Sequence, residues 1–136
     1  MVHKILKLVG PMHVVGGLLL FMSAFFPSAQ VAIASLVNLP AGQEFSPFFV
    51  AILGPTIASW GVLFSAVVTQ FYAAPSPGLW KALVLSVAIW APLDTGLCLY
   101  FDVYGGAAVN TVVVVVLFGL LASVRSLAYP SGETRA

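Results

Sequence analysis

Four runs of apolar residues, each about as long as a bilayer's hydrocarbon core is thick, dominate this chain. A helix needs about 20 apolar residues to cross a core of ~30 Å. The stretches at about 8–26, 48–73, 82–104 and 107–127 meet that requirement. Between them lies turn chemistry: Pro27-Ser28, Pro47, Pro75-Ser76-Pro77-Gly78 and Tyr104-Gly105-Gly106. The valine run at 112–116 has strand propensity, but it sits inside a longer apolar stretch, which favours a membrane helix. Composition agrees. Only 7% of the 136 residues are charged and 61% are hydrophobic, against roughly 25% charged in ordinary soluble domains. Five basic and four acidic residues cannot cover a water-facing surface of this size. A soluble enzyme, a nucleic-acid binder and a disordered tail are excluded. The predicted fold is all-α, a single integral membrane antiparallel four-helix bundle, with short 2–3 and 3–4 connections making those helices antiparallel neighbours.

Charge position gives orientation. Four spans put Lys4, Lys7, Lys81, Arg125 and Arg135 on one side of the membrane, and Glu44 and Asp102 on the other. The positive-inside rule then places both termini in the cytoplasm, for a multi-pass protein of a bacterial inner membrane. Trp80, Tyr100, Tyr104 and Tyr129 fall near span ends, where interfacial aromatics collect. A cleaved leader over residues 1–29 is the rival reading. Its apolar run of near 19 residues is longer than the usual ~7–15, and Pro27 stands where a small residue is wanted, so the first stretch is read as a span.

The 1–2 connection, from Pro27 to Ser46, is the longest. Val31, Ile33, Leu36, Val37 and Leu39 make its first half apolar, yet it is too short to cross. It is expected as an ordered loop packing on helix ends, with Ser28 able to cap a short surface helix, and with a lid over a cavity as the functional alternative.

Small residues mark helix contacts in lipid, because burying leucine there gains nothing. Gly54, Ala58, Gly61 and Ser65 share one face of the second span, and Gly10, His13, Gly17 and Ala24 a comparable face of the first. Thr111, Gly119 and Ser126 line one side of the fourth, with Ser123 beside it. These faces hold the bundle together, and any face left over is a candidate homo-oligomer contact.

Most catalytic chemistries lack their parts. The single cysteine, Cys98, excludes an intrachain disulfide and a thiolate zinc cage. Two histidines, His3 and His13, make no metal cluster, and no phosphate-binding loop or nucleophile–base pair is visible. A net charge of +1 offers nucleic acid nothing. No cofactor, metal or catalytic residue is expected. The expected partners are membrane lipid and either another membrane protein or a second copy of the chain.

What remains is Asp94. At ~1.5 Å per residue it lies ~18 Å into the third span, just past the midplane. An ionised carboxylate there costs at least ~2.5–3.5 kcal/mol on insertion scales, so it must face the bundle and find donors, or hold a proton. Pro92, two residues earlier, frees the carbonyl of Ala88. Depth arithmetic brings Thr56 and Ser59 close to the Asp94 level, with Ser23 and Asn110 one to two turns further out; Trp60 lies on the same span as Thr56. An inner polar layer is expected from His13, Ser65, Ser86 and Ser123. Ser86, Trp90 and Asp94, spaced by four, join the two layers through an indole whose N–H wants a partner. Three roles compete for Asp94. It fixes helix register through Thr and Asn; it lines a cavity for a lipid, quinone or other apolar molecule with one polar handle; or it relays a proton in transport. A relay to His13 is disfavoured by ~10 Å of depth between them. His13 itself reads as a packed, hydrogen-bonded histidine, Cys98 as a small apolar filler, and Glu44 and Asp102 as solvated.

Trp60, the Pro/Gly turn, Trp90 and Asp94, then Gly105-Gly106 and Asn110, together resemble the small four-span bacterial membrane proteins of the BphX-like kind. The Val103-Tyr104-Gly105 turn after an acidic third helix is more faintly similar to the four-span membrane scaffolds of sterol synthesis. The resemblance implies an accessory or scaffold role and carries over no catalytic residue. A non-enzymatic accessory protein is therefore the first expectation, with a small oligomeric transporter or proton-coupled carrier using Asp94 as the alternative.

Overall fold

The structure, a computed structural model, describes residues 2–41 and 46–129. Six helices follow in order: α1 (Val2–Ser23), α2 (Pro27–Leu36), α3 (Pro47–Ala73), α4 (Pro77–Tyr100), α5 (Tyr104–Ser123) and α6 (Arg125–Ala128). No strand occurs among the described residues, and α1, α3, α4 and α5 are each long and apolar enough to cross a membrane. Glu44 and Arg135 lie outside the described residues.

Prolines set three of the helix starts. Pro27, Pro47 and Pro77 each occupy the first turn of α2, α3 and α4, where a missing N–H costs nothing and a fixed φ is already helical. Ser76 caps α4 by accepting from the Leu79 N–H at 3.3 Å. Ser28 does not cap α2: the residue at that position is Phe26, without a side-chain bond, and Ser28 falls inside the helix. The first half of the connection is a ten-residue helix with no buried residue, where an ordered loop was the expectation.

Two helices end on a left-handed residue. Asn38 (φ 53°) and Asp102 (φ 58°) follow the ends of α2 and α4. In each case the next amide reaches back across the turn, Leu39 to the Ala34 carbonyl at 2.9 Å and Val103 to that of Cys98 at 2.8 Å. This is the Schellman arrangement, with Asn and Asp taking the place glycine usually fills. The Tyr104 hydroxyl donates to the Asp102 carboxylate at 2.8 Å. The reversal into the last span is thus made before Gly105-Gly106, which belong to α5. Gly105 serves packing instead: a Cβ there would lie 2.5 Å from the Val37 carbonyl oxygen. The end of α2 therefore rests on the start of α5.

The closest packing joins α1 to α3. A Cβ at Gly17 would lie 2.4 Å from the Gly54 carbonyl oxygen, and one at Gly61 would lie 2.6 Å from that of Gly10. The two small-residue faces meet at backbone contact, in antiparallel order. On α5, by contrast, Gly119 has open space where its side chain would be, so that small-residue side is left over.

The core is concentrated at one end. Leu6 of α1, Phe64, Val68 and Phe71 of α3, Leu83, Val87 and Ala91 of α4, and Leu117 and Leu121 of α5 form one buried cluster. Lys4, Lys7, Lys81 and Arg125 belong to this same end by chain order. Here the Trp80 indole N–H donates to the Leu121 carbonyl at 2.9 Å, and Arg125 lies over the rings of Trp80 and Tyr129 at 5.8 and 5.6 Å. Lys7 sits 5.6 Å from the Tyr72 ring. Aromatic side chains that bury a ring at the interface while receiving a cation suit a membrane boundary. Away from this end a cavity lies between the two helix pairs, α1–α3 and α4–α5.

Candidate ligand-binding cavity

The cavity holds about 450 Å³ and takes its wall from all four long helices. His13 comes from α1, Leu53, Thr56, Ile57 and Trp60 from α3, Trp90 and Asp94 from α4, and Asn110 from α5. Residues 53, 56, 57 and 60 recur at three and four, which is one helix face. Trp90 and Asp94 are one turn apart on α4. Trp60 and Trp90 also pack on the buried cluster, so the indoles form the floor where the tight end of the bundle meets the open one. Leu53 is 51% exposed and Thr56 is exposed as well, so the cavity opens beside α3 toward the surrounding lipid.

Asp94 is the chemical centre. The Asn110 amide N–H donates to one of its carboxylate oxygens and also lies 3.8 Å from the Cys98 sulfur. Both donors of Asn110 are thereby turned toward α4, while its carbonyl oxygen has no partner among the described residues. No described residue forms an ion pair with Asp94. The Thr56 hydroxyl donates to the Ile52 carbonyl at 3.0 Å, so its oxygen can still accept a hydrogen bond. His13 Nδ1 lies 2.7 Å from the Val9 carbonyl oxygen. A carbonyl only accepts, so Nδ1 carries the proton and, in a neutral ring, Nε2 is an acceptor. The His13 ring meets Trp60 edge-on at 4.6 Å, and Trp60 stacks on Phe64 at 4.9 Å. Neither cavity indole N–H bonds to a described residue. The wall thus combines apolar and aromatic surface with a few convergent polar groups, one of them a carboxylate, which is the usual make-up of a small-molecule site.

The residues expected from sequence divide into those this cavity gathers and those it does not. Asp94, Trp90, Thr56, Trp60 and Asn110 line it together. Ser59 does not: it is exposed, and its hydroxyl donates to the Thr56 carbonyl at 3.0 Å. Ser23 is buried outside the cavity and bonds the Leu20 carbonyl at 2.6 Å. The inner polar layer is not assembled. Ser65 donates to Gly61 at 2.8 Å inside the α1–α3 contact, Ser86 to Leu83 at 2.8 Å, and exposed Ser123 to Gly119 at 2.7 Å. Each hydroxyl satisfies itself on its own helix, which short serine side chains do readily, so equal depth does not bring them together. His13 leaves that layer and joins Asp94 on one wall, because the cavity extends through the depth between them. Leu53 and Ile57 were not singled out by sequence; their only signal is sharing a face with Thr56 and Trp60.

Comparison with models of protein families, with curated proteins and with solved structures gave no match for this chain.

Proposed function

We propose that this chain is a non-enzymatic integral membrane protein, an accessory or scaffold component, that holds an apolar small molecule or lipid in the cavity beside Asp94. The observation that carries the reading is a 450 Å³ opening at the one place where an intramembrane carboxylate, two indoles and an amide converge. Carboxylates are rare inside membranes and mark function by default. A carboxylate serving helix register alone would be packed around, not left on a cavity wall. The accessory role is also what the resemblance to BphX-like four-span proteins implies. In this reading the protein sits in a bacterial inner membrane with Lys4, Lys7, Lys81 and Arg125 on the cytoplasmic side, and the cavity is reached from the outer half of the bilayer. Ile57→Trp fills the opening without touching a charge. Wild-type and Ile57→Trp protein, purified in parallel and extracted with organic solvent, are compared by mass spectrometry. A small molecule at near one per chain in the wild type and lost in the variant supports the proposal; identical extracts contradict it.

One observation favours a second reading. His13 and Asp94 share a single cavity, and a histidine and a carboxylate facing one intramembrane cavity are the kinds of group that make a proton path. A small proton-coupled carrier, assembled as an oligomer through the open glycine side of α5, would use them. Asp94→Asn then abolishes uptake into proteoliposomes while leaving assembly unchanged.

A further inference from the structure

Asp94 is a carboxylate on the wall of a largely apolar cavity, and no cation among the described residues answers it. Lys4, Lys7, Lys81 and Arg125 belong to the opposite end of the bundle, and no described residue forms an ion pair with Asp94. Asn110 supplies one hydrogen bond to one carboxylate oxygen. Thr56 Oγ1, the Asn110 carbonyl oxygen and, in a neutral ring, His13 Nε2 each retain acceptor capacity on the same wall. Below them lie the rings of Trp60 and Trp90. Tryptophan is the strongest aromatic partner for a cation, and the attraction grows when both are withdrawn from water. A carboxylate, acceptor oxygens and indoles around one opening form a receptor for a positively charged donor.

We infer that the ligand of this cavity is a lipophilic ammonium ion, an apolar body carrying one protonated amine, with its N–H groups donating to Asp94 and its apolar part lying on Trp60, Trp90, Leu53 and Ile57. This rests on the proposal that the cavity is a binding site and specifies what it takes. The ammonium supplies a countercharge that no described residue provides, and Asp94 makes the charge of the ligand tolerable inside the membrane. A neutral molecule of the same shape gains only the apolar contacts.

Three probes of one shape separate these contributions: 4-phenylbutylamine, which is protonated at neutral pH, 4-phenylbutanol, a neutral donor, and butylbenzene, which has no polar end. Each is titrated into the purified protein in detergent, with tryptophan fluorescence as the readout. Comparing wild type with Asp94→Asn cancels partitioning into the micelle. The amine should bind about tenfold or more tightly than the alcohol, as charge-assisted hydrogen bonds are roughly twice as strong as neutral ones. Asp94→Asn should remove that advantage, Asp94→Glu should keep most of it, and butylbenzene should bind both wild type and Asp94→Asn within about twofold. Equal affinity for amine and alcohol in the wild type overturns the inference, and this comparison, with each affinity referred to the probe's measured free concentration outside the micelle, decides alone if Asp94→Asn fails to fold. If butylbenzene binds as well as the amine, the cavity is a binding site but not one for cations. If none of the three binds, the proposed binding function falls with it.

Discussion

At the scale of the residue, two aspartates carry opposite kinds of information. Asp102 is backbone chemistry: its φ of 58° ends α4, and its carboxylate takes the Tyr104 hydroxyl. A β-branched residue there pays the full left-handed penalty, whereas glycine does not. Asp102→Val should therefore lower stability by about 1–2 kcal/mol, and Asp102→Gly should leave it nearly unchanged; thermal unfolding in detergent measures both. Asp94 is site chemistry. Its hydrogen bond from Asn110 ties α4 to α5 at the cavity, so Asn110→Leu should leave a carboxylate without its donor at a cost of about 1–3 kcal/mol. Restored stability in Asp94→Asn/Asn110→Leu, relative to Asn110→Leu alone, would identify the lost interaction as charge-assisted. The lone acid was visible in the sequence because nothing else charged sits mid-span. Its partner was visible only as one of several polar residues at similar depth. Depth from chain position gives height along a helix, not the direction in which a side chain leaves it, and for that reason Ser59 and Ser123 were placed with groups they do not meet.

Elements in this bundle are bounded by proline and held by glycine. Pro27, Pro47 and Pro77 start helices, while Gly17 against Gly54 and Gly10 against Gly61 set the distance between α1 and α3. Gly17→Leu drives a side chain into the α3 backbone and should destabilise by about 1–3 kcal/mol. Gly119→Leu, in open space, should not destabilise the monomer. If that side of α5 joins copies, Gly119→Leu will still shift the mass of the detergent-solubilised particle, which light scattering reads. The small-residue faces of α1 and α3 were legible because period and residue size both point to them. The α4–α5 turn was misplaced by about three residues because a glycine pair outweighs an aspartate as a turn signal, although here the aspartate makes the turn and Gly105 makes room for Val37. The short helix α2 was legible as apolar and non-crossing, but its contact with α5 depends on the left-handed Asn38, whose conformation no periodicity announces.

For the whole molecule, the distribution of packing matters more than its amount. One end carries Lys4, Lys7, Lys81 and Arg125, the buried cluster and the Trp80–Arg125–Tyr129 contacts; the cavity lies beyond that cluster. A tight base with an open far half lets a lateral opening exist without loosening the bundle. The spans could be counted from the four apolar runs, but an opening between helix pairs could not, since it depends on how close the helices approach one another. Orientation is testable at this scale. In a Cys98→Ala background, a cysteine at Gln43 should react with a membrane-impermeant maleimide added outside, and one at Ser76 should react only after permeabilisation; the reverse pattern would invert the topology.

If the cavity between the two helix pairs is a binding site, it holds a ligand in the membrane. A density map of the protein purified gently from its own membrane tests it most directly. Continuous non-protein density in contact with the Trp60 and Trp90 rings and ending beside Asp94 is the expected result. A map in which the two indoles close on each other and Asp94 is packed against protein on every side would contradict it.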